Sequence, residues 1–214
     1  MSNNIADIRK EYKLQTLAEH DVLKDPIGQF DKWWQEAVRA DIDEVNAMTL
    51  ATASADGMPD ARIVLLKGFD TKGFSFFTNY NSSKGHQLLE NPRATLVFFW
   101  KELERQVRIS GLVSLVSEKI SEEYFNSRPE GSRLGAWASP QSEVIESREW
   151  LEDNEKRLRE EFNGNPVSRP SHWGGYLVKP VRVEFWQGRP SRLHDRILFS
   201  LQENGQWKIQ RLAP

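Results

Sequence analysis

The chain has 214 residues, 38% hydrophobic and 28% charged, which suits one globular domain that buries most of its unfolded surface. A net charge of -2 at pH 7 excludes a global basic field for nucleic acid, and no apolar run approaches the ~20 residues of a membrane-spanning helix. The absence of cysteine excludes disulfides, thiolate metal sites and a cysteine nucleophile; any redox chemistry must pass through a bound cofactor, and a reducing cytoplasm is the expected location.

Met1 to Tyr12 is polar and mixed in charge, unlike a signal or transit peptide. Residues 1–25 read as a flexible arm with a short helix over Ile5 to Leu17. Residues 26–214 read as a single domain. Pro26 opens a helix in which Ile27, Phe30, Trp33, Trp34, Ala37 and Val38 fall at helical spacing. Strands follow at Ala47 to Ala53, Arg62 to Lys67 and Phe74 to Thr78, joined by turns at Ala55-Asp56-Gly57 and Asp70-Thr71-Lys72-Gly73, as in consecutive antiparallel hairpins. Ser82 to Glu90 is a helix closed by Asn91-Pro92. Strands Ala94 to Trp100 and Glu104 to Val116 come next, with Gly111 a candidate bulge. Helices are expected at Glu118 to Asn126 and Glu146 to Phe162. Tyr176 to Trp186, Arg196 to Gln202 and Trp207 to Arg211 close the chain as strands. The fold class is mainly β with α, an antiparallel barrel of α+β type with peripheral helices.

The four histidines are scattered, and no pair has the spacing of a helical metal motif, so no metal site is expected. G-x-S-x-G, G-x-G-x-x-G and G-x-x-x-x-G-K-[ST] are all absent, which leaves side chains to hold any phosphate. Arg62 and Lys67 flank an apolar strand. Ser82, Ser83 and Lys84 open a helix whose free N–H groups favour an anion. Arg128 lies with Ser132 and Arg133 around a turn. Each cluster alone also reads as a solvated strand end or a helix cap. Trp186 stands close to Arg192 and His194, which are two residues apart and would project to one side of an extended chain. That trio suits a planar aromatic ligand with polar substituents. The alternative is a surface loop in which Arg192 and His194 pair with Asp195.

Eight segments in order resemble the pyridoxamine 5'-phosphate oxidase family. They are RIVLLK (62–67), FFTNYNSSKGHQ (76–87), NPRATLVFFW (91–100), LERQVRISG (103–111), YFNSRPEGSRLGAWASPQS (124–142), WGGY (173–176), VEFWQGRPSRLHDR (183–196) and WKIQRLAP (207–214). The arm motif Arg9-Lys10-Glu11-Tyr12 also resembles the family's substrate-contacting R-x-x-Y.

The resemblance implies an FMN-binding split β-barrel that works as a homodimer, with both subunits contributing to each FMN site. It implies that Arg62 and Lys84, with Ser83 beside them, hold the FMN phosphate. Ile63, Val64, Leu65, Leu66, Lys67, Phe77 and Thr78 would run along the flavin, and Gln106, Gln141, Ser142, Trp186 and Arg196 would complete its site. Lys67, Tyr124, Arg128 and Ser132 would clamp the substrate 5'-phosphate, with Arg9 and Tyr12 from the arm. Arg192 and His194 would face the substrate ring as the catalytic pair. The implied reaction takes a hydride from C4' of pyridoxamine or pyridoxine 5'-phosphate to flavin N5. Dioxygen accepts the electrons, and pyridoxal 5'-phosphate and hydrogen peroxide are formed. Two departures stand out: many members have Arg where this chain has Ser83, and Tyr where it has Phe77. The competing readings are a reductase on the same barrel and a non-catalytic FMN- or pyridoxal-phosphate-binding protein.

Overall fold

The structure is a computed structural model that describes Asn4, Ile5 and residues 10–214. Among them are five α-helices: α1 (Pro26–Arg39), α2 (Ser83–Glu90), α3 (Glu118–Ser127), α4 (Glu130–Ala138) and α5 (Arg148–Phe162). The nine strands are β1 (Ala47–Ala53), β2 (Pro59–Leu65), β3 (Gly68–Asp70), β4 (Gly73–Asn79), β5 (Arg93–Trp100), β6 (Arg105–Leu115), β7 (Trp173–Gln187), β8 (Asp195–Leu201) and β9 (Trp207–Arg211). Hydrogen bonding runs in the order β2-β1-β5-β6-β7-β4-β3, with β8 on β7 and β9 on β8. The α+β class read from the sequence is the one observed. Among the described residues no helix is long and apolar enough to cross a membrane.

The chain divides into two compact units. The first comprises the described residues up to Thr49, with Thr95–Gly111 and Pro180–Pro214. Its helix α1 begins where Asp25 accepts the Gly28 N–H at 2.7 Å and Pro26 occupies the first turn, where no N–H is needed. Phe30, Trp33 and Ala37 share the buried face of α1. Phe30 meets Phe98 at 5.2 Å, Trp33 meets Phe185 edge-on at 5.2 Å, and Phe185 meets Phe199 at 5.5 Å. Strands β7, β8 and β9 form an antiparallel meander, with Phe185 opposite Ile197 and Phe199 opposite Ile209.

The second unit comprises Leu50–Ala94 and Leu112–Lys179. Here β3 and β4 form a tight hairpin with Asp70 opposite Gly73, whose φ of 142° demands glycine. Strand β4 then pairs with β7, Phe77 opposite Gly175 and Asn79 opposite Trp173. Helices α3, α4 and α5 bury Phe125, Leu134, Ala138 and Leu158 in one cluster with Val167 and Trp173. Ser117 and Ser147 cap α3 and α5 through the N–H groups of Ile120 and Trp150. The charged surface of α5 is laced by i,i+4 pairs such as Arg148–Glu152 at 2.7 Å.

Several expectations need correcting. Residues 10–17 form no helix: the N–H groups of Lys13, Leu14 and Leu17 are taken by the carboxylates of Glu104 and Asp195. The second strand starts at Pro59 and ends at Leu65, leaving Lys67 beyond it, and β2 and β3 are not ladder neighbours. Ser132 and Arg133 lie on helix α4 rather than in a turn. In β6 the alternation of buried and open side chains is unbroken from Arg105 to Val113, so Gly111 shifts no face.

Candidate functional site

A cavity of about 810 Å³ opens in the second unit, within the range of small-molecule sites. One wall is the outer part of β2, where Arg62, Ile63, Val64 and Leu65 line it; Ile63 is 66% exposed, an apolar side chain kept at an open surface. The other walls come from Phe77, Thr78, Ser83, Lys84, Tyr124, Arg128, Ser132, Gln141, Ser142 and Trp173. Four cations, Arg62, Lys67, Lys84 and Arg128, face the cavity against one carboxylate, Asp60.

The cations form two differently built groups. Arg62 is pinned: it pairs with Asp60, donates to Thr52 Oγ1 at 2.5 Å and to the Leu50 carbonyl at 3.2 Å, and reaches Gln87 Oε1 at 3.3 Å. Lys84 is buried at the start of α2, where Ser82 is the cap; its ammonium donates to Ser82 Oγ at 3.0 Å and to Gln141 Oε1 at 3.4 Å. Burial first, and the neighbouring Arg62 charge second, push the Lys84 pKa down to about 8. A buried lysine beside an arginine has the electrostatics to attract an anion.

The second group is Lys67 and Arg128. The Arg128 guanidinium lies over Trp173 at 4.5 Å and Phe125 at 5.7 Å, and its buried Nη1 has no hydrogen-bond partner. Burial pushes its pKa below the ordinary arginine value. Lys67 is exposed, 5.9 Å above the Tyr124 ring, and that ring stacks on Phe77 at 4.1 Å. A buried donor without a partner beside a cavity lined by a second cation and by the Ser132 hydroxyl fits a phosphate oxygen.

In the first unit, Lys10, Glu11, Tyr12, Arg189, Ser191, Arg192 and His194 line a depression of about 590 Å³. Tyr12, Trp186 and His194 form an aromatic trio, with Trp186 to His194 at 4.6 Å and Tyr12 to Trp186 at 5.6 Å. The chain is not extended here. Pro190–Arg192 is a 3-10 turn, and Ser191 and Arg192 both have positive φ, 55° and 62°. The turn, rather than strand alternation, puts Arg192 and His194 on one depression. Burial, and then the Arg192 charge, lower the His194 pKa below its ordinary 6.5. Its Nδ1 accepts the Arg189 N–H at 3.1 Å, so the neutral ring carries its proton on Nε2. Asp195 is committed elsewhere, to Arg211 at 2.7 Å and Arg189 at 3.5 Å, and pairs with neither Arg192 nor His194.

A family model described as "Pyridoxamine 5'-phosphate oxidase" matches residues 34–161, and one described as "Pyridoxine 5'-phosphate oxidase C-terminal dimerisation region" matches residues 173–214. The chain is 56% identical over all 214 residues, the full length of both proteins, to the pyridoxine/pyridoxamine 5'-phosphate oxidase of Nostoc punctiforme. The chain belongs to the pyridoxamine 5'-phosphate oxidase family. It is also 58% identical to the enzyme of that name from Cupriavidus necator over 210 residues, 98% of this chain and 99% of that one. Among solved structures, PhzG of Burkholderia lata, in complex with tetrahydrophenazine-1-carboxylic acid, superposes with a TM-score of 0.89. It is 29% identical and covers 96% of this chain and 100% of its own. An FMN-binding protein of Nostoc punctiforme related to pyridoxamine 5'-phosphate oxidase matches at TM-score 0.70 and 19% identity, over 89% of this chain and 98% of that one, which places the fold in the same split-barrel group.

Of the residues that the family resemblance singles out, the cavity brings together Arg62, Ile63, Val64, Leu65, Lys67, Phe77, Thr78, Ser83, Lys84, Tyr124, Arg128, Ser132, Gln141 and Ser142. Leu66 does not line it; its side chain is buried. Tyr12, Arg192 and His194 share the depression of the first unit, with Trp186 against them. Arg196 donates to Glu184 at 2.8 Å and to the Ala213 carbonyl at 2.8 Å, and Gln106 is half-buried on β6. Arg9 lies outside the described residues. Sequence reasoning missed Asp60, Trp173, Thr52 and Gln87. Asp60 could have been found two residues before Arg62 on the same strand face, Trp173 opens the WGGY motif and Gln87 closes the FFTNYNSSKGHQ segment; Thr52 carried no local signal.

Proposed function

We propose that the protein is an FMN-dependent oxidase that converts pyridoxamine 5'-phosphate or pyridoxine 5'-phosphate to pyridoxal 5'-phosphate. The observation that carries this reading is the cavity with two cationic groups on either side of an apolar strand and aromatic rings. Such a site suits two phosphate-bearing planar molecules held together. Arg62, Lys84 and Ser83 would hold the FMN phosphate, and Ile63, Val64, Leu65, Phe77, Thr78, Gln141 and Ser142 would lie along the flavin. Lys67, Tyr124, Arg128 and Ser132 would clamp the substrate phosphate. Anchoring a phosphate remote from the reacting carbon offsets the entropy of aligning that carbon. When bound, FMN supplies acceptance of a hydride from C4' at N5 and return of two electrons to dioxygen, giving hydrogen peroxide.

The working form in this reading is a homodimer. The match to a dimerisation region over 173–214 supports it, because that region carries Trp186, Arg192, His194 and Arg196. The second copy would supply these with Gln106, Tyr12 and Arg9. Arg192 would press the pyridine ring toward the flavin. His194, neutral with its proton on Nε2, would donate to the ring's 3-oxygen.

The test is direct. The purified protein should be yellow, and adding pyridoxine 5'-phosphate in air should produce the aldehyde and peroxide together. Bound flavin without product would favour a non-catalytic flavin protein. Protein with no flavin would remove the basis of the cofactor assignment. Oxidation of a tetrahydrophenazine carboxylic acid in preference to the B6 phosphate would overturn the substrate, since such a molecule has no phosphate for Lys67 and Arg128.

A further inference from the structure

Glu104 is 2% exposed, carries a left-handed φ of 54°, and has no role in the site described so far. Its main-chain carbonyl accepts the Gly188 N–H at 2.7 Å and the Gln187 side-chain amide at 3.2 Å, which fixes it beneath the end of β7. Its carboxylate faces the N-terminal segment. Oε2 accepts the backbone N–H of Lys13 at 2.8 Å and of Leu14 at 3.1 Å, and Oε1 lies 3.6 Å from the Lys10 ammonium. Directly beside this clasp, Tyr12 is pressed on Gly188, where an added Cβ would come within 2.7 Å of the Tyr12 Cβ and Cγ and 3.1 Å of the Glu104 Cβ. Tyr12 thereby stands 5.6 Å from Trp186 and 6.0 Å from His194.

We propose that Glu104 is a positioning residue: its buried carboxylate clasps the backbone of Lys13 and Leu14 and so seats Tyr12 against Trp186 and His194 for substrate binding. The inference rests on the proposed function only in taking Tyr12 and His194 as substrate-facing groups. The physical reason is an asymmetry. If residues 10–14 lift away, the Glu104 carboxylate loses two charge-assisted hydrogen bonds and the Lys10 ammonium together. The segment's closed position is therefore held by the cost of abandoning Glu104. A second clasp follows along the chain. Asp195 accepts the Leu17 N–H at 3.0 Å, and Arg211 donates to the Leu17 carbonyl at 3.0 Å while holding Glu19. Between the two, Gln15 is held by Arg105 through its side chain and by Arg189 through its carbonyl at 3.3 Å; Glu104 is the group that takes the amides next to Tyr12.

The experiment uses the flavin-loaded enzyme and the variants Glu104→Ala, Glu104→Gln, Tyr12→Ala and the Glu104→Ala/Tyr12→Ala pair. Amide exchange is read at Lys13 and Leu14, and KM, kcat and flavin content are read with pyridoxine 5'-phosphate. Glu104→Ala should speed exchange at both amides by roughly tenfold or more, as expected when a local contact rather than the global fold protects them. It should raise KM on the order of tenfold or more, a typical cost of misplacing a substrate contact, with flavin content kept. Glu104→Gln, which retains an acceptor oxygen, should fall between wild type and Glu104→Ala. The pair should be no worse than Tyr12→Ala alone. Unchanged exchange at Lys13 and Leu14, or multiplied KM effects in the pair, would overturn the proposal. If Glu104→Ala does not accumulate folded, Glu104→Gln carries the test: faster exchange and raised KM support it, and wild-type values of both refute it. Absence of any pyridoxine 5'-phosphate oxidation by wild type would refute the proposed function instead, and the exchange rates would still decide the clasp.

Discussion

Replacing Arg128 by Met separates a ligand-binding arginine from a structural one. Arg128 Nη1 has no hydrogen-bond partner within the protein, so the substitution breaks no bond there. It removes the cation's attraction to Trp173 and Phe125, about 0.5–2 kcal/mol. Against this, it relieves the burial of a charge, and a thioether over the same rings regains about 0.3–1.5 kcal/mol. The two sides nearly cancel, and the unfolding free energy of flavin-free protein in urea should move by no more than about 1 kcal/mol. Substrate binding has no such cancellation. Losing one charge-assisted hydrogen bond to a phosphate oxygen costs about 1.5–3 kcal/mol, a KM increase of roughly 10- to 150-fold for pyridoxine 5'-phosphate. The non-phosphorylated vitamer pyridoxine, which brings no phosphate to Arg128, should lose little by the substitution. A stability drop beyond about 3 kcal/mol with KM unchanged would refute the reasoning and make Arg128 a core residue.

Four further outcomes follow, three at the same cavity and one at His194. Lys84 has a folded pKa of about 8 against an ordinary 10.5, so between those values the unfolded chain binds more protons and stability rises with pH; urea unfolding of flavin-free protein should show this rise, and Lys84→Met should flatten it. FMN affinity should move the opposite way, falling as Lys84 loses its proton above about pH 8, as flavin fluorescence quenching would show. Ser83→Arg places a third cation at the mouth of the same niche and should tighten FMN by about tenfold at low salt, with the gain shrinking as salt is added. Arg192→Gln removes the lesser of the two causes that lower the His194 pKa; NMR titration should show a rise that stops short of the ordinary value, because burial remains.

The parts of the fold legible in the sequence are those governed by neighbours along the chain. Helix α1 starts at Asp25-Pro26, β1 alternates between Gly- and Asn-containing turns, and β9 is a short amphipathic run; all three lie where the pattern puts them. Helix α4 was illegible for a physical reason. Pro129, Gly131 and Gly135 read as turn signals, and its first turn has no side-chain cap. The helix exists because Leu134 and Ala138 are buried with Phe125, Leu158 and Trp173, contacts made far along the chain. Likewise, residues 10–17 are ordered by carboxylates 91 and 178 positions away, which take the N–H groups that a helix would have used. At the site, residue types were legible and conformation was not: the spacing of Arg192 and His194 marked a pair, but positive φ at Ser191 and Arg192 replaced the extended chain.

The two cationic groups differ in a way that matches the residence times of their proposed ligands. Arg62 is held by four partners and Lys84 is buried, so the pair is fixed before any ligand arrives and its mutual repulsion is already present in the folded state. Binding an anion there relieves that repulsion and costs little side-chain entropy, the conditions for a tightly held resident cofactor. Lys67 and Ser132 are exposed, and Arg128 keeps one donor free. A phosphate landing there must immobilise a lysine and displace water, so part of its binding energy is spent on ordering. A group that must release its product on every turnover benefits from that looseness. Exchanging the two designs, by burying Lys67 or freeing Lys84, would therefore slow product release or loosen the cofactor before it altered any reacting atom.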